Sequence, residues 1–141
     1  MGPEPLSTEF TPEYLYQLVQ GKKTRIKSLL LNQKYIGGIG NIYDDEALFL
    51  AGIHPERCAS TLTREECQRL YGTINSVIEA GSRDGGTTFR DYQNGEGGHG
   101  SHQEHLFVYN RKGQPCRKCG TPIEKITVGR RGTHYCPRCQ K

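Results

Sequence analysis

Apolar side chains recur at helical spacing in four stretches of this chain and at strand spacing near its end. Tyr14, Leu15, Leu18 and Val19 share one face of a segment introduced by Thr11-Pro12-Glu13. A threonine cap followed by proline at the first helical position marks its start, and Gly21 its end. A second helix is expected to begin near Lys23 and bury Ile26, Leu29 and Leu30. That arrangement leaves Lys22, Lys23, Arg25 and Lys27 towards solvent or a ligand. A third helix follows Gly37-Gly-Ile-Gly40, with Asn41 as its N-cap, and carries Ile42, Leu48 and Phe49 as far as Gly52. Thr63-x-x-Glu66 is a capping box. Behind it Cys67, Leu70, Ile74, Val77 and Ile78 continue a scaffold helix to about Gly81. The residues before Phe10, with Pro3 and Pro5, read as an extended lead-in.

Past Gly81 the helical pattern stops. Six of the sixteen residues from Gly85 to Gly100 are glycine, so residues 94–102 (NGEGGHGSH) read as a mobile loop that builds no core. Leu106-Phe-Val-Tyr109 is expected to be a strand. Thr121 to Val128 has β-branched residues at Ile123, Ile126, Thr127 and Val128, which suits a second. Gly129-Arg-Arg-Gly132 is a turn signal, and Thr133-His-Tyr135 returns the chain. A β-hairpin with Arg130 and Arg131 at its tip results. The fold class expected is mainly α with this small β-hairpin.

That hairpin sits between two pairs of cysteines. Cys116-Arg-Lys-Cys119 and Cys136-Pro-Arg-Cys139 are separated by sixteen residues, a spacing that aims four thiolates at one tetrahedral ion. Zinc is the reading preferred, with one ion per chain; rubredoxin-like iron and a pair of disulfides are the competitors on residues alone. With 33% hydrophobic residues and 18 glycines in 141 residues the core is thin, so a metal is expected to help the chain fold. Structural zinc contributes ~10 kcal/mol or more in small fingers. Cys58 and Cys67 are read as ordinary part-buried thiols. His99, His102 and His105 lie in a glycine-rich context without thiol or acidic partners and are not read as a second metal site.

Charge is distributed unevenly. From Arg111 to Lys141 there are nine Lys or Arg and one acidic residue, Glu124, a net +8; the whole chain carries +4, so the rest carries −4. A cationic excess on a rigid hairpin suits a polyanion. The glycines before Asn41 add to this. They let backbone come close to a ligand, and the N–H groups opening a helix favour an anion such as phosphate. No Lys-Ser/Thr follows Gly40, so the segment is not a Walker loop. No apolar run reaches the ~20 residues that cross a bilayer, and MGPEPLST lacks the features of a signal peptide. The cysteine usage fits a reducing cytosol.

Several motifs together are similar to one family. They are Gly38-Ile-Gly40-Asn41-Ile-Tyr43, Gly52-Ile-His-Pro55, Gly85-Gly-Thr-Thr88, Val108-Tyr109, Cys116-x-x-Cys119-Gly-Thr-Pro-Ile-Glu124 and Arg131-Gly-Thr-His-Tyr-Cys-Pro-Arg-Cys139-Gln. In order and spacing they resemble the C-terminal half of bacterial formamidopyrimidine-DNA glycosylases, which repair 8-oxoguanine and ring-opened purines. The resemblance implies a helix–two-turn–helix module followed by a four-cysteine zinc finger. The expected division is a lead-in at 1–10, the helical domain at 11–105 with a lesion-capping loop near 88–103, and the finger at 106–141. It implies damaged double-stranded DNA as partner, a monomer, no membrane, and a bacterial cytoplasm with the nucleoid as workplace. Lys27, Gly40 and Asn41 would hold phosphates, and Arg131, beside Arg130, would reach backbone around a flipped nucleotide.

The departures matter. The family's nucleophile is an N-terminal proline followed by glutamate. Here Pro3 falls in an interdomain Gly-Pro-Glu-Pro segment, so no catalytic residue is expected in this chain, and the parent activities of glycosylase and AP lyase are expected to be absent from it alone. Asp44 stands where an uncharged residue is usual, and His102 where Phe or Tyr is common. The alternative reading is a stand-alone zinc-stabilised module that binds RNA or structured DNA without enzymatic role.

Overall fold

The computed structural model describes residues 2–83 and 106–141. The glycine-rich loop and the three histidines singled out above fall outside them. Among the described residues there are four helices: α1 (Pro12–Val19), α2 (Ile26–Leu31), α3 (Asn41–Ala51) and α4 (Arg64–Arg83). A single 3-10 turn, Ala59–Thr61, precedes α4, and β1 (Glu124–Val128) and β2 (Arg131–Tyr135) form one antiparallel hairpin. Among the described residues no helix is long and apolar enough to cross a membrane.

The local signals that start the helices work as their chemistry requires. Thr11 Oγ1 accepts the Tyr14 N–H at 3.0 Å, with Pro12 just inside α1. At α4 the Thr63 hydroxyl accepts from the Glu66 N–H at 3.1 Å, and the Glu66 carboxylate accepts from the Thr63 N–H at 2.9 Å. Arg57 then grips that same carboxylate with two bonds of 3.0 and 2.8 Å.

Two apolar cores result. The larger gathers Phe10 of the lead-in with Leu15, Val19, Ile26, Leu29, Leu30, Leu48, Leu70 and Ile74 from all four helices. Burying each such side chain contributes roughly 1.5–3 kcal/mol. The smaller lies under the finger and contains Val108, Cys116, Ile123 and Cys136 around Phe49. Phe49 belongs to α3, so this one helix feeds both cores: Leu48 faces one way and Phe49 the other. The lead-in also packs. Gly2 N–H donates to Gln33 O at 2.9 Å and Gly37 N–H to Pro3 O at 3.0 Å, and a Cβ at Gly2 would collide with the Tyr35 carbonyl.

Four boundaries differ from the sequence expectation. Helix α2 starts at Ile26 and not near Lys23, because Arg25 is extended and bridges to Cys58 while Ile26 N–H reaches Arg57 O at 2.7 Å. The residue before α3 that caps it is Gly40; Asn41 is already helical and its side chain is engaged elsewhere. Strand β1 begins at Glu124, later than Thr121. Leu106 to Tyr109 is no strand. The N–H groups of Phe107 to Tyr109 are taken by a carboxylate of α3, as described next.

Candidate functional site

The hairpin turn is Gly129-Arg130, flanked by the pair Val128 and Arg131. Both turn residues have positive φ, +56° and +70°, as a two-residue hairpin loop with the twist of its strands requires. Arg130 and Arg131 are both exposed. The tip lies against α2: a Cβ at Gly129 would come within 2.7 Å of Ser28 Oγ.

Three side chains bolt the start of β2 to the helices. Lys27, wholly buried, extends Nζ to Asp45 Oδ1 at 2.6 Å, Thr133 Oγ1 at 2.7 Å and Gly132 O at 3.1 Å. Asn41 Nδ2 donates to the same Gly132 carbonyl at 3.0 Å. Asp45 Oδ2 accepts the His134 N–H at 2.9 Å. All three N–H donors of the ammonium are therefore used inside the protein. Here the structure corrects the expectation that Lys27 turns to solvent or a ligand. An aliphatic stem inside the core with its charge matched by Asp45 places the ammonium under the hairpin.

Glu46, the next residue, does the same for the chain entering the finger. Its carboxylate accepts the N–H groups of Phe107, Val108 and Tyr109 at 2.7, 2.8 and 2.9 Å. Burial pushes this carboxyl up and those three hydrogen bonds pull it back. Arg111 is also structural: its guanidinium is buried and donates to Phe107 O at 2.6 Å and Pro115 O at 2.9 Å. So part of the cationic excess counted in the sequence is internal, and the exposed share is narrower. Asp45, Glu46 and Thr133 were not singled out from the sequence. The available signal was two acids three and four residues before Phe49, on a helix otherwise destined for burial.

Asp44 is the exception in this cluster. Its side chain is wholly buried, and neither oxygen has a hydrogen-bond partner among the described residues; the same holds for Asn41 Oδ1. Burial pushes its carboxyl well above the ordinary aspartate range, Lys27 and Arg131 draw it down, and Asp45 adds repulsion.

The four cysteines converge. Their Sγ atoms lie within 4.8 Å of one another, with Cys119–Cys136 at 3.5 Å and Cys116–Cys139 at 3.8 Å. Zinc–thiolate bonds of about 2.3 Å give a tetrahedron with edges of about 3.8 Å, so the donor set fits one zinc ion. N–H groups of Lys118 and Cys139 donate to Cys116 Sγ and Cys136 Sγ at 3.3 and 3.4 Å, as expected around thiolates. Without a cation four such sulfurs cannot all ionise together. The hydrogen bond to Thr121 draws Cys119 down to about 6, while burial and the neighbouring sulfurs push Cys139 up to about 12. None of the six cysteines is joined in a disulfide, which removes the disulfide alternative. Cys67 is fully buried and Cys58 partly so. Gln140 locks the second knuckle to the helices, accepting from Cys136 N–H at 2.8 Å and donating to Ile53 O at 2.9 Å.

Comparison with known proteins agrees with this geometry. Residues 1–93 match the formamidopyrimidine-DNA glycosylase H2TH domain, and residues 113–141 match a zinc finger found in formamidopyrimidine-DNA glycosylase and isoleucyl-tRNA synthetase. The chain is 55% identical over 141 residues to the formamidopyrimidine-DNA glycosylase of Desulforamulus reducens, covering 51% of it. With that of Symbiobacterium thermophilum it is 53% identical over 140 residues, covering 46%. Among solved structures, the MutM (Fpg) protein of Thermus thermophilus superposes with a TM-score of 0.88 at 42% identity, over 99% of this chain and 53% of that one. The Fpg of Lactococcus lactis in complex with abasic-site DNA superposes at 0.88 with 35% identity, over 100% and 52%. The chain spans about half the length of the curated relatives it matches. The family's zinc finger and the clustered thiols agree on zinc rather than iron.

Proposed function

The chain belongs to the formamidopyrimidine-DNA glycosylase family, and from that membership we propose that it is the half that grips damaged double-stranded DNA. The observation that carries this reading is the bolted hairpin. Arg130 on the turn and Arg131 at the start of β2 are exposed, and the residues that follow, Gly132 to His134, are tied to α2 and α3 by Lys27, Asn41 and Asp45. The hairpin is thereby held beside the N-terminal end of α3, whose helix dipole attracts phosphate. Gly40 supports the same reading. Among the described residues a methyl group there would meet nothing nearer than Tyr43 Cδ2 at 4.0 Å, so their packing does not demand a glycine, whereas close approach by a strand of DNA would.

In this reading Gly40, Asn41, Arg130 and Arg131 contact phosphates, and Lys27 sets their geometry from beneath. Residues 1–10 form the lead-in, 11–105 the helical domain and 106–141 the finger. The whole protein would act as a glycosylase and AP lyase on 8-oxoguanine and formamidopyrimidines, as a monomer in the cytoplasm and on the nucleoid. The nucleophile lies outside these residues by the family's pattern, so this chain alone binds without cutting.

Titrating the zinc-loaded chain with abasic duplex, intact duplex and single-stranded RNA over a range of salt concentrations tests the proposal. Salt-dependent preference for the abasic duplex is the expected result; preference for RNA would replace it with the stand-alone RNA-binding reading. Borohydride treatment with lesion DNA should trap no covalent adduct.

A further inference from the structure

Asn41 and Asp44 lie three residues apart on α3, hence on one face of the first turn. Between them they hold three buried acceptor oxygens without a partner among the described residues: Asn41 Oδ1 and both oxygens of Asp44. The orientation of the amide is not free. Its Nδ2 must face Gly132 O at 3.0 Å, because the flipped amide would set oxygen against oxygen. The charged groups facing Asp44 are Lys27 of α2, Asp45 of α3 and Arg131 of β2. Lys27 has no donor left, since its three N–H bonds go to Asp45, Thr133 and Gly132. Asp45 is already the counter-ion of Lys27, and Arg131 is exposed.

A buried acceptor with no donor costs roughly 1–3 kcal/mol, and a single hydrogen would pair two of these three. We infer that the Asp44 carboxyl keeps its proton in the folded chain and donates it to the Asn41 amide oxygen. One proton converts an acceptor into a donor, partners Asn41 Oδ1 and spares the site a second buried anion beside Asp45. Burial favours the neutral acid in the same direction. Asp44 is thereby a positioning residue: it holds the Asn41 amide, whose other end holds Gly132 and, through it, Arg131.

The consequence for DNA rests on the function proposed above. When Asp44 ionises, the amide loses its anchor and an anion appears behind the phosphate site, so affinity for duplex falls as pH rises.

The direct test is carbon-13 and nitrogen-15 NMR of the zinc-loaded chain, following Asp44 13Cγ and the Asn41 side-chain amide from about pH 5 to about pH 9, all above the ordinary carboxylate values of about 3.9–4.3. Asp44 should remain a neutral acid at pH values where an ordinary aspartate has ionised, and the Asn41 amide should shift in step with it. Asp44→Asn supplies a permanent N–H donor and should keep the Asn41 signals in their low-pH position throughout. Asp44→Val supplies none and should place them in the high-pH position. Ionisation of Asp44 in the ordinary aspartate range, or identical Asn41 signals in the two variants, overturns the inference. With abasic duplex, wild type should lose about tenfold in affinity per pH unit near the end of the titration, beyond what Asp44→Asn loses. Failure of every variant to bind duplex sinks the proposed function, and the NMR readings still decide the bond.

Discussion

Lys27 Nζ and Asp45 Oδ1 stand 2.6 Å apart with both side chains wholly excluded from solvent. Eighteen residues separate them in sequence, and the pair joins α2 to α3 directly under the hairpin that carries Arg131. A buried ion pair gains little over an apolar pair, yet loss of one partner strands the other charge. Lys27→Met is therefore expected to destabilise by about 3–5 kcal/mol, with Lys27→Met/Asp45→Leu recovering much of it. Denaturant unfolding of zinc-loaded protein measures both; equal stability of Lys27→Met and wild type would show the pair to be solvated.

Arg131 and Lys27 should fail differently on DNA. Arg131→Ala removes a phosphate contact and should lower the slope of log Kobs against log salt by about 0.9. Lys27→Met should weaken binding by displacing Gly132 and Thr133, with the loss accompanied by the instability just described. An unchanged salt slope in Arg131→Ala takes that guanidinium off the phosphates.

Asp44 predicts how stability depends on pH. Its carboxyl is held well above the ordinary value of about 3.9, chiefly by burial. The folded chain thus binds a proton that the unfolded chain releases once pH exceeds that ordinary value. Its contribution is fully present below about 3.9 and is lost as pH rises towards the folded value. Within that window the stability of wild type relative to Asp44→Asn should fall by about 1.4 kcal/mol per pH unit. Unfolding midpoints of the two proteins across pH check this; parallel curves refute it.

Glu46 should prove as important as any cysteine-free position near the finger. Glu46→Gln presents an NH2 to N–H donors of Phe107 to Tyr109 and leaves at least one of them unpaired. A loss of about 1–3 kcal/mol follows, with faster amide exchange confined to residues 107–109. Uniform exchange rates there in mutant and wild type would refute the role.

Chelating the metal should separate the two cores. Losing zinc removes ~10 kcal/mol or more of finger stability, whereas the core of Leu15, Leu29, Leu48 and Leu70 contains no ligand. Helical circular dichroism should largely survive chelation, while the hairpin shifts and DNA affinity collapse. Simultaneous loss of all helix signal would mean a single cooperative core.

Features that depend on neighbours along the chain were legible without a structure. The thiol spacing of Cys116 to Cys139, the caps at Thr11 and Thr63, the apolar stripe of α4 and the hairpin turn are all local, since each is fixed by residues a few positions apart. The family resemblance draws on the same kind of information. What the sequence could not contain was the partner of each buried charge. Lys27 looks like its neighbours Lys22, Lys23 and Arg25, and only the packing of α2 against α3 and β2 sends it inward to Asp45, Gly132 and Thr133. Glu46, Arg111 and Asp44 are of the same kind. A charge is buried or exposed according to what the rest of the chain brings within hydrogen-bonding distance, and contacts across more than a hundred residues are set by tertiary packing alone.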